Sequence, residues 1–234
     1  MPSVNQAAAA TLWIEPSTPP RAAVLLLHGL DMAPSQLAPV VRSLRLPALV
    51  ALPAGPVERP GGLRAWWPVD DDARAARLRA GPADLHDSHP PGRAPARDAV
   101  HAVARKLRAR APGVPLIVAG FSQGAMLALD CALQSPPLAV DALALWSASR
   151  LAFSEWTPGL HRLRGVRAEL LHGRADANVS IAAAQALRDA LAAQEADVRW
   201  SPFDGGHEIP LPAWTGLRRL VRELAAAQEG DLPA

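Results

Sequence analysis

Short apolar runs recur along the chain, each bounded by turn-forming Gly, Pro, Asp or Ser residues. Runs of this kind are typical of strands that are covered on both faces of a sheet. A weaker run at residues 11–14 is interpreted as an edge strand. The stronger strand candidates are residues 22–27, 48–52, 116–119, 142–146, 168–171 and 198–202.

Between these runs, apolar residues recur at the spacing of amphipathic helices. Residues 125–133 are instead apolar on nearly every side, which predicts a helix that is buried all round. The amphipathic stripes are Val100, Val103 and Leu107; Ile181, Ala184, Leu187 and Leu191, preceded by Ser180 as a capping residue; and Trp214, Leu217, Val221 and Leu224. The alternation predicts an α/β fold, a mostly parallel twisted sheet of about seven strands with helices on both faces.

Residues 54–93 interrupt this alternation. They are rich in Pro, Gly, Asp and Arg, and the segment is longer than the usual connection in a compact domain. Long excursions of this kind form lids, binding loops or disordered segments, and the sequence leaves these alternatives open. The remaining pattern suits one domain over residues 1–234 that carries an irregular, lid-like segment at about 54–93.

Composition and charge exclude several classes of protein. The formal net charge is +2, and no Lys/Arg run is long enough to follow a phosphate backbone, so we expect no nucleic-acid partner. The strongly apolar run at 22–27 is too short to span a membrane. Residues 1–10 lack the basic and apolar regions of a secretion signal. With Cys131 as the single cysteine, these features predict a cytoplasmic protein without disulfides.

A nucleophile motif stands between a predicted strand and the buried helix. Residues 120–124 read Gly-Phe-Ser-Gln-Gly, which matches the pattern G-x-S-x-G. A sharp strand-to-helix turn strains the serine and exposes its hydroxyl, and the flanking glycines let strand and helix approach. The pattern is common by chance, but its position favours Ser122 as a nucleophile. The competing interpretation is an ordinary strand-to-helix turn.

An activated serine needs a histidine base and an acid that orients the base, and these follow the serine in the order acid, then histidine. His207 follows the last predicted strand, whereas His172 directly abuts a strand and His161 lies in a connector. Asp176 follows the strand at 168–171 and is therefore the predicted acid. Three other candidates are less suitable, since Asp189 belongs to a helix, Asp197 precedes a strand and Asp204 is close enough to His207 to shape its turn.

Acyl transfer also needs donors for the negative charge that develops on the carbonyl oxygen. We expect one donor to be the backbone N–H of Gln123, whose side chain we interpret as unimportant. The other is expected to be the N–H of Leu30, after the turn at His28-Gly29. His28 itself is interpreted as a structural hydrogen-bonding residue.

The sequence resembles the phospholipase/carboxylesterase family of α/β hydrolases, which includes acyl-protein thioesterases and bacterial serine esterases. The matching segments are LLLHGLD at 25–31, GGLRAWWPVD at 61–70, GFSQG at 120–124, LLHGRAD at 170–176 and FDGGHEIP at 203–210. The resemblance implies an α/β-hydrolase fold without a large cap domain, and Ser122, Asp176 and His207 as the triad. The chain departs from the family at Asp31-Met32, where Gly-Asp is frequent, and it is richer in Arg, Ala and Pro at 71–92.

Three further residues are candidates for substrate contact. Trp66 and Trp67 lie in the segment 54–93, and we expect one ring to anchor the segment while the other lines the substrate pocket. The alternative is that both rings only anchor it. Met32, just after the predicted oxyanion loop, is the third candidate.

Metal and cofactor chemistry is not indicated. The spacing of Asp84, His86, Asp87 and His89 matches no zinc motif, so no metal is expected. No nucleotide-binding glycine motif is present, so no cofactor is expected either. Cys131, on the buried helix, is interpreted as inert.

These features predict a serine hydrolase that cleaves small or lipid-like carboxylic esters through an acyl-enzyme. An acyl-protein thioesterase and an amidase or peptidase are alternatives within the enzymes. A non-catalytic binding protein that keeps the fold is the alternative from another class. A weak homodimer is compatible with the sequence, in which no pattern indicates an interface.

Overall fold

The computed structural model describes residues 11–230, so the expectation about residues 1–10 lies outside the described residues. The strands are β1 (Leu12–Ile14), β2 (Ala22–Leu27), β3 (Ala48–Leu52), β4 (Val57–Glu58), β5 (Arg64–Ala65), β6 (Leu116–Phe121), β7 (Ala142–Trp146), β8 (Arg167–Gly173) and β9 (Asp197–Phe203). The helices are α1 (Pro34–Leu44), α2 (Asp71–Ala80), α3 (Arg93–Arg110), α4 (Gln123–Leu133), α5 (Phe153–Trp156), α6 (Ile181–Ala192) and α7 (Leu211–Gly230). Short 3-10 helices span Pro60–Gly62 and Thr157–Leu163.

Seven of the described strands form one sheet in the order β1-β3-β2-β6-β7-β8-β9. Every neighbouring pair is parallel except β1 and β3, so β1 is an antiparallel edge strand, as its weak pattern indicates. Because parallel strands end at the same edge of a sheet, the loops after β2, β6, β8 and β9 meet there. The predicted α/β fold is confirmed.

Helices cover both faces of the sheet. One core contains the apolar stripes of α3 and α6 together with α4, and the other contains those of α1 and α7. Every residue of α4 is buried, as the apolar composition of 125–133 predicts. None of the helices within residues 11–230 is long and apolar enough to cross a membrane.

Strand β9 differs from the expectation of a strand covered on both faces. Its residues alternate between exposed and partly buried positions, because β9 forms the second edge of the sheet. Arg199 and Ser201 point outward, whereas Trp200 packs against the core. Strands β2, β3 and β7, which have neighbours on both sides, are buried along their whole length.

The segment 54–93 contains regular structure. Strands β4 and β5 form a small antiparallel pair, and helix α2 follows, with the Asp70 carboxylate accepting from the Ala73 N–H at 2.9 Å as an N-cap. None of the α2 residues is buried, so α2 carries no apolar stripe and the sequence pattern does not reveal it. The segment 54–93 is therefore less irregular than its composition indicates.

Candidate active site

Ser122 occupies the sharp turn between β6 and α4. Its φ of 52° and ψ of −115° place a non-glycine residue in a strained backbone region. The Ser122 N–H donates to the Trp146 carbonyl of β7 at 2.8 Å, and the Ser122 carbonyl accepts from the Met126 N–H at 3.1 Å. These bonds hold the turn, so the hydroxyl has a fixed position at the carboxyl edge of the sheet.

The glycines on each side of Ser122 are required by close backbone contacts. A Cβ at Gly120 would lie 2.5 Å from the carbonyl carbon of Gly124, and one at Gly124 would lie 2.5 Å from the carbonyl oxygen of His28. Both neighbours are backbone atoms that cannot rotate away. Only glycine therefore allows β2, β6 and α4 to meet at this point.

His207 lies in the loop after β9, and its imidazole bridges Ser122 and Asp176. Its Nε2 is 2.8 Å from Ser122 Oγ, and its Nδ1 is 2.7 Å from Asp176 Oδ2. Because a carboxylate only accepts hydrogen bonds, we assign the proton to Nδ1, which leaves Nε2 to accept from the serine hydroxyl. The Phe121 ring packs against the imidazole at a centroid distance of 4.9 Å. The three residues predicted as a triad thus form one hydrogen-bonded chain.

Asp176, in the loop after β8, is buried and accepts several hydrogen bonds. Its Oδ1 accepts from the Asn178 N–H at 2.8 Å and the Val179 N–H at 2.9 Å, in addition to the bond from His207 to Oδ2. Burial opposes ionisation, but these hydrogen bonds outweigh it and hold the pKa of Asp176 below its ordinary value. The carboxylate therefore stays charged beside the imidazole.

His172 contacts the acid rather than the serine. Its Nε2 donates to the Val179 carbonyl at 2.9 Å and lies 3.5 Å from Asp176 Oδ2. Burial lowers the pKa of His172, so the ring stays neutral at pH 7. His172 thus supports the loop of Asp176, a role that its position next to a strand end did not reveal.

The other candidates for base and acid lie elsewhere. His161 is exposed on the 3-10 helix Thr157–Leu163. The Asp204 side chain is 96% exposed and pairs with Arg174 at 3.2 Å. Asp189 and Asp197 pair with arginines at the surface.

The backbone amides of Leu30 and Gln123 are available as donors beside Ser122. Both residues line the cavity that contains Ser122 and His207. Gln123 is the first residue of α4, where a helix leaves its N–H groups without internal partners. Within the described residues, neither amide donates to a carbonyl or side chain. Both amides are therefore unpaired within the described residues, and their role as oxyanion donors stays a prediction.

Asp31 supports the loop of Leu30 from the position where the family frequently has glycine. Its φ of 56° is left-handed, which Asp tolerates better than most residues. The Asp31 N–H donates to the Arg64 carbonyl at 3.0 Å, and its carboxylate accepts from Arg59 at 2.7 Å. The departure from the family pattern at Asp31 is thus accommodated by local contacts.

A cavity of about 480 Å³ opens at this edge of the sheet. Ser122 and His207 lie on one wall, and residues of the segment 54–93, including Trp67, form another. Met32 also lines it, as expected. This volume lies within the range of small-molecule sites.

Comparison with known protein families identifies the fold and its family. The sequence profile of the Phospholipase/Carboxylesterase family matches residues 9–215, which is most of the chain. The chain belongs to this family. The resemblance expected from the motifs is thereby confirmed.

Solved structures agree with the family assignment at the level of fold. The structure of esterase PE8 has 24% identity and a TM-score of 0.74, covering 92% of this chain and 98% of its own. Acyl-protein thioesterase 2 of Zea mays has 21% identity and a TM-score of 0.71, with the same coverage of 92% and 98%. A carboxylesterase from Mesorhizobium loti has 20% identity and a TM-score of 0.65, covering 86% and 88%. No curated protein matches this sequence significantly.

In this member of the Phospholipase/Carboxylesterase family, the paired tryptophans have different positions. Of the two candidates, Trp66 is 1% exposed and does not line the cavity, so it is not placed to contact a substrate there. Its ring stacks on His28 at 4.9 Å, and its Nε1 donates to the His28 carbonyl at 2.8 Å. Trp66 therefore anchors the segment 54–93, whereas Trp67 lines the cavity.

The side chain of Gln123 also fixes that segment to the nucleophile turn, contrary to the expectation that it is unimportant. Its Oε1 accepts from the Trp66 N–H at 2.8 Å, and its Nε2 donates to the Trp67 carbonyl at 3.4 Å. One residue thus carries an available backbone donor and positions a cavity wall. The G-x-S-x-G motif predicts the role of the Gln123 backbone N–H. The role of its side chain depends on residues distant in sequence, so the motif does not indicate it.

His28 is a structural residue in this family member, as its interpretation from sequence states. Its Nδ1 donates to the Gly29 carbonyl at 2.7 Å, and its Nε2 accepts from the Gly55 N–H at 2.9 Å. Burial lowers the pKa of His28 to about 4, so the ring is neutral at pH 7. The ring thereby joins the oxyanion loop to the start of the segment 54–93.

The Asp and His side chains at 84–89 contact neighbouring carboxylates and an arginine. His86 lies 2.9 Å from Asp87, and His89 lies 2.6 Å from Glu155. Across residues 11–230, no group of three or more His, Cys, Asp or Glu side chains is arranged to hold a metal ion.

Proposed function

We propose that this protein is a serine hydrolase that cleaves carboxylic esters through a covalent acyl-enzyme on Ser122. The observation that carries the proposal is the hydrogen-bonded chain from Ser122 through His207 to Asp176 at the wall of an open cavity. Family membership supports the same chemistry. The proposed substrates are small or lipid-like acyl esters.

In the first half-reaction, Ser122 Oγ attacks the carbonyl carbon of the ester while His207 Nε2 takes the hydroxyl proton. The carbonyl oxygen becomes an oxyanion that accepts hydrogen bonds from the N–H groups of Leu30 and Gln123. Asp176 keeps the proton on Nδ1 and stabilises the imidazolium that forms. The ester C–O bond then breaks, and the leaving alcohol takes the proton from His207.

In the second half-reaction, water attacks the acyl carbon and His207 Nε2 takes its proton. The oxyanion forms again at the same two amides. Collapse breaks the bond to Ser122 Oγ, which recovers its proton from His207, and the carboxylic acid leaves. The net reaction consumes one ester and one water and yields one acid and one alcohol.

Thioester cleavage is the second candidate function. One structural neighbour is named an acyl-protein thioesterase, and the same residues would release a thiol in place of an alcohol. Paired oxygen and thiol esters of one acyl chain distinguish the two activities by their kcat/KM values. The alternative of a non-catalytic binding protein is disfavoured, because the strained serine, its base and its acid are all in bonding contact. A cytoplasmic location stays a prediction from the sequence.

A fluorophosphonate probe tests the proposal because it reacts with activated serines. We expect the parent protein to be labelled at Ser122 and the Ser122→Ala variant to lose both labelling and hydrolysis of p-nitrophenyl butyrate. Ser43→Ala is the matched control, since Ser43 is exposed on α1 and bonds only to the Val40 carbonyl. Equal labelling of Ser122→Ala and the parent, located by mass spectrometry at another residue, would refute the nucleophile assignment.

A further inference from the structure

One face of helix α2 lines the cavity of the candidate active site. Its N-cap and four of its residues contribute to the cavity wall, namely Asp70, Ala73, Arg74, Arg77 and Leu78. They follow the i, i+3, i+4, i+7, i+8 spacing of a single helical face. Two of the side chains on this face are guanidinium groups, and they lie one turn apart.

Arg74 and Arg77 have no carboxylate partner in the described residues, whereas most other arginines of the segment do. The carboxylate of Asp71, three residues before Arg74, pairs with Arg59 at 2.6 Å. Its interaction with Arg74 is electrostatic and acts over a longer distance. Likewise, Arg150 pairs with Asp84. The face of α2 therefore presents two cations that no internal anion neutralises at contact distance.

The other charged groups of the cavity wall are already engaged. The Asp70 carboxylate accepts from the Ala73 N–H as the helix cap, and His89 bonds to Glu155 at 2.6 Å. Partial desolvation and the nearby Arg74 both lower the pKa of Arg77, so the two guanidinium groups repel each other. An anion bound between them would relieve this repulsion.

We propose that Arg74 and Arg77 form an anion-binding subsite, and that the preferred substrates are esters whose acyl or alcohol part carries a carboxylate or phosphate group. The inference rests on the proposed function, because it assigns a substrate class to the same cavity. Guanidinium groups bind both anions through charge-assisted hydrogen bonds. The apolar residues of the wall, including Leu30, Met32, Trp67 and Met126, accommodate the hydrocarbon that joins the anion to the ester.

Matched pairs of esters test this subsite. One pair is p-nitrophenyl butyrate and mono-p-nitrophenyl glutarate, which adds a carboxylate to the acyl side. The other is monobutyryl glycerol and its glycerol 3-phosphate counterpart, which adds a phosphate to the alcohol side. We expect the parent to prefer at least one anionic member, and Arg74→Gln/Arg77→Gln to lower kcat/KM for that member about tenfold. The kcat/KM for the neutral members should fall by a clearly smaller factor, and added salt should reduce the anionic preference.

Arg79→Gln is the matched control, because Arg79 is exposed on the same last turn of α2 but does not line the cavity. If Arg77 served only to stabilise the end of the helix, Arg79→Gln and the double variant would have the same effect on every ester. That result, or a parent without any anionic preference, would overturn the subsite.

Binding to the Ser122→Ala variant separates the two proposals. Calorimetry of this variant with the same ester pairs measures affinity without turnover. Tighter binding of an anionic member, lost in the triple variant with Arg74→Gln and Arg77→Gln, would support the subsite even if hydrolysis failed. Equal affinity for neutral and anionic members would contradict it, whether or not the parent hydrolyses esters.

Discussion

Three histidines near the carboxyl edge of the sheet differ in the partners of their ring nitrogens. His207 Nε2 faces the Ser122 hydroxyl at 2.8 Å, whereas the Nε2 of His28 accepts from a backbone N–H and that of His172 donates to a backbone carbonyl. The chain order of serine, acid and histidine indicated which histidine reaches the serine. It could not give the partners of the other two, because those partners lie in loops whose paths no local pattern fixes.

The buried His28 predicts a loss of stability in mild acid. Its pKa is lowered to about 4 in the folded state, against about 6.5 in the unfolded chain. Between these values the unfolded state binds the proton and the folded state does not, so stability falls as pH decreases. From about pH 7 to about pH 4 the loss attributable to His28 is about 3 kcal/mol. This loss is measured by urea unfolding of the parent and of His28→Asn at several pH values.

We expect His28→Asn to be less stable at pH 7 and to show a shallower pH dependence in this window. Part of the pH dependence of the unfolding free energy should remain in this variant, because burial lowers the pKa of His172 as well. Asp176 is distinguishable, because the pKa of a carboxylate held below its ordinary value contributes only at more acidic pH. His161→Asn, at an exposed position, is the control. An unchanged slope in His28→Asn would contradict the prediction.

Among the elements, most of those that bury an apolar surface were predicted from the sequence, and α2, which buries none, was not. The bounds of β2, β3 and β7 agree with the apolar runs, since a strand between two neighbours must be apolar on both faces. Helix α2 has no buried residue, so no periodicity marks it. Helix α1 buries Pro34, Leu37, Ala38 and Val41 at helical spacing, so its stripe was present in the sequence although it was not predicted. Pro39 inside the helix favours a loop at this position, and the fold tolerates it.

The hydrogen bonds from the Gln123 side chain to the backbone of Trp66 and Trp67 hold the segment 54–93 against helix α4, and their loss should loosen the segment. Replacing Gln123 by Ala leaves the buried Trp66 N–H without its acceptor, which costs about 1–3 kcal/mol. We expect faster cleavage of the segment by protease and a raised KM for ester substrates, because Trp67 lines the cavity. The effect on kcat should be smaller, since the Gln123 backbone N–H is retained. Limited proteolysis and steady-state kinetics measure these changes.

Gln134→Ala is the matched control for this prediction. Gln134 is partly exposed at the C-cap of α4, and its side chain donates to the Glu155 carbonyl at 2.7 Å. This variant should keep the proteolysis rate and KM of the parent. The proposed coupling would be wrong if the two glutamine variants behaved alike.

At the scale of the whole molecule, the meeting of Ser122, Asp176 and His207 was predictable because all three follow parallel strands. Loops after such strands share one edge, and acyl-transfer chemistry restricts the residue types that can stand there. Their catalytic roles stay a prediction. The charged face of α2 was not predictable, because charges in a polar helix have the same pattern whether they face solvent or a cavity. The structure was needed to show which face α2 turns toward Ser122.

A buried carboxylate behind the nucleophile helix joins several elements of the fold, and its removal should destabilise the whole molecule. Asp130 on α4 is fully buried and accepts from Arg93 at 3.0 Å, from Arg97 at 2.7 Å and from Trp156 Nε1 at 2.7 Å. Asp130→Ala leaves the mostly buried Arg93 without this partner, which costs roughly 3–5 kcal/mol. Asp130→Asn keeps an acceptor and should therefore lose less unfolding free energy than Asp130→Ala. Asp98→Ala, at an exposed position on α3, should leave the unfolding free energy almost unchanged. The urea concentrations at the unfolding midpoint rank the three variants, provided that their m-values are equal. Equal midpoints for Asp130→Ala and Asp98→Ala would show that the buried pair of Asp130 and Arg93 adds no net stability.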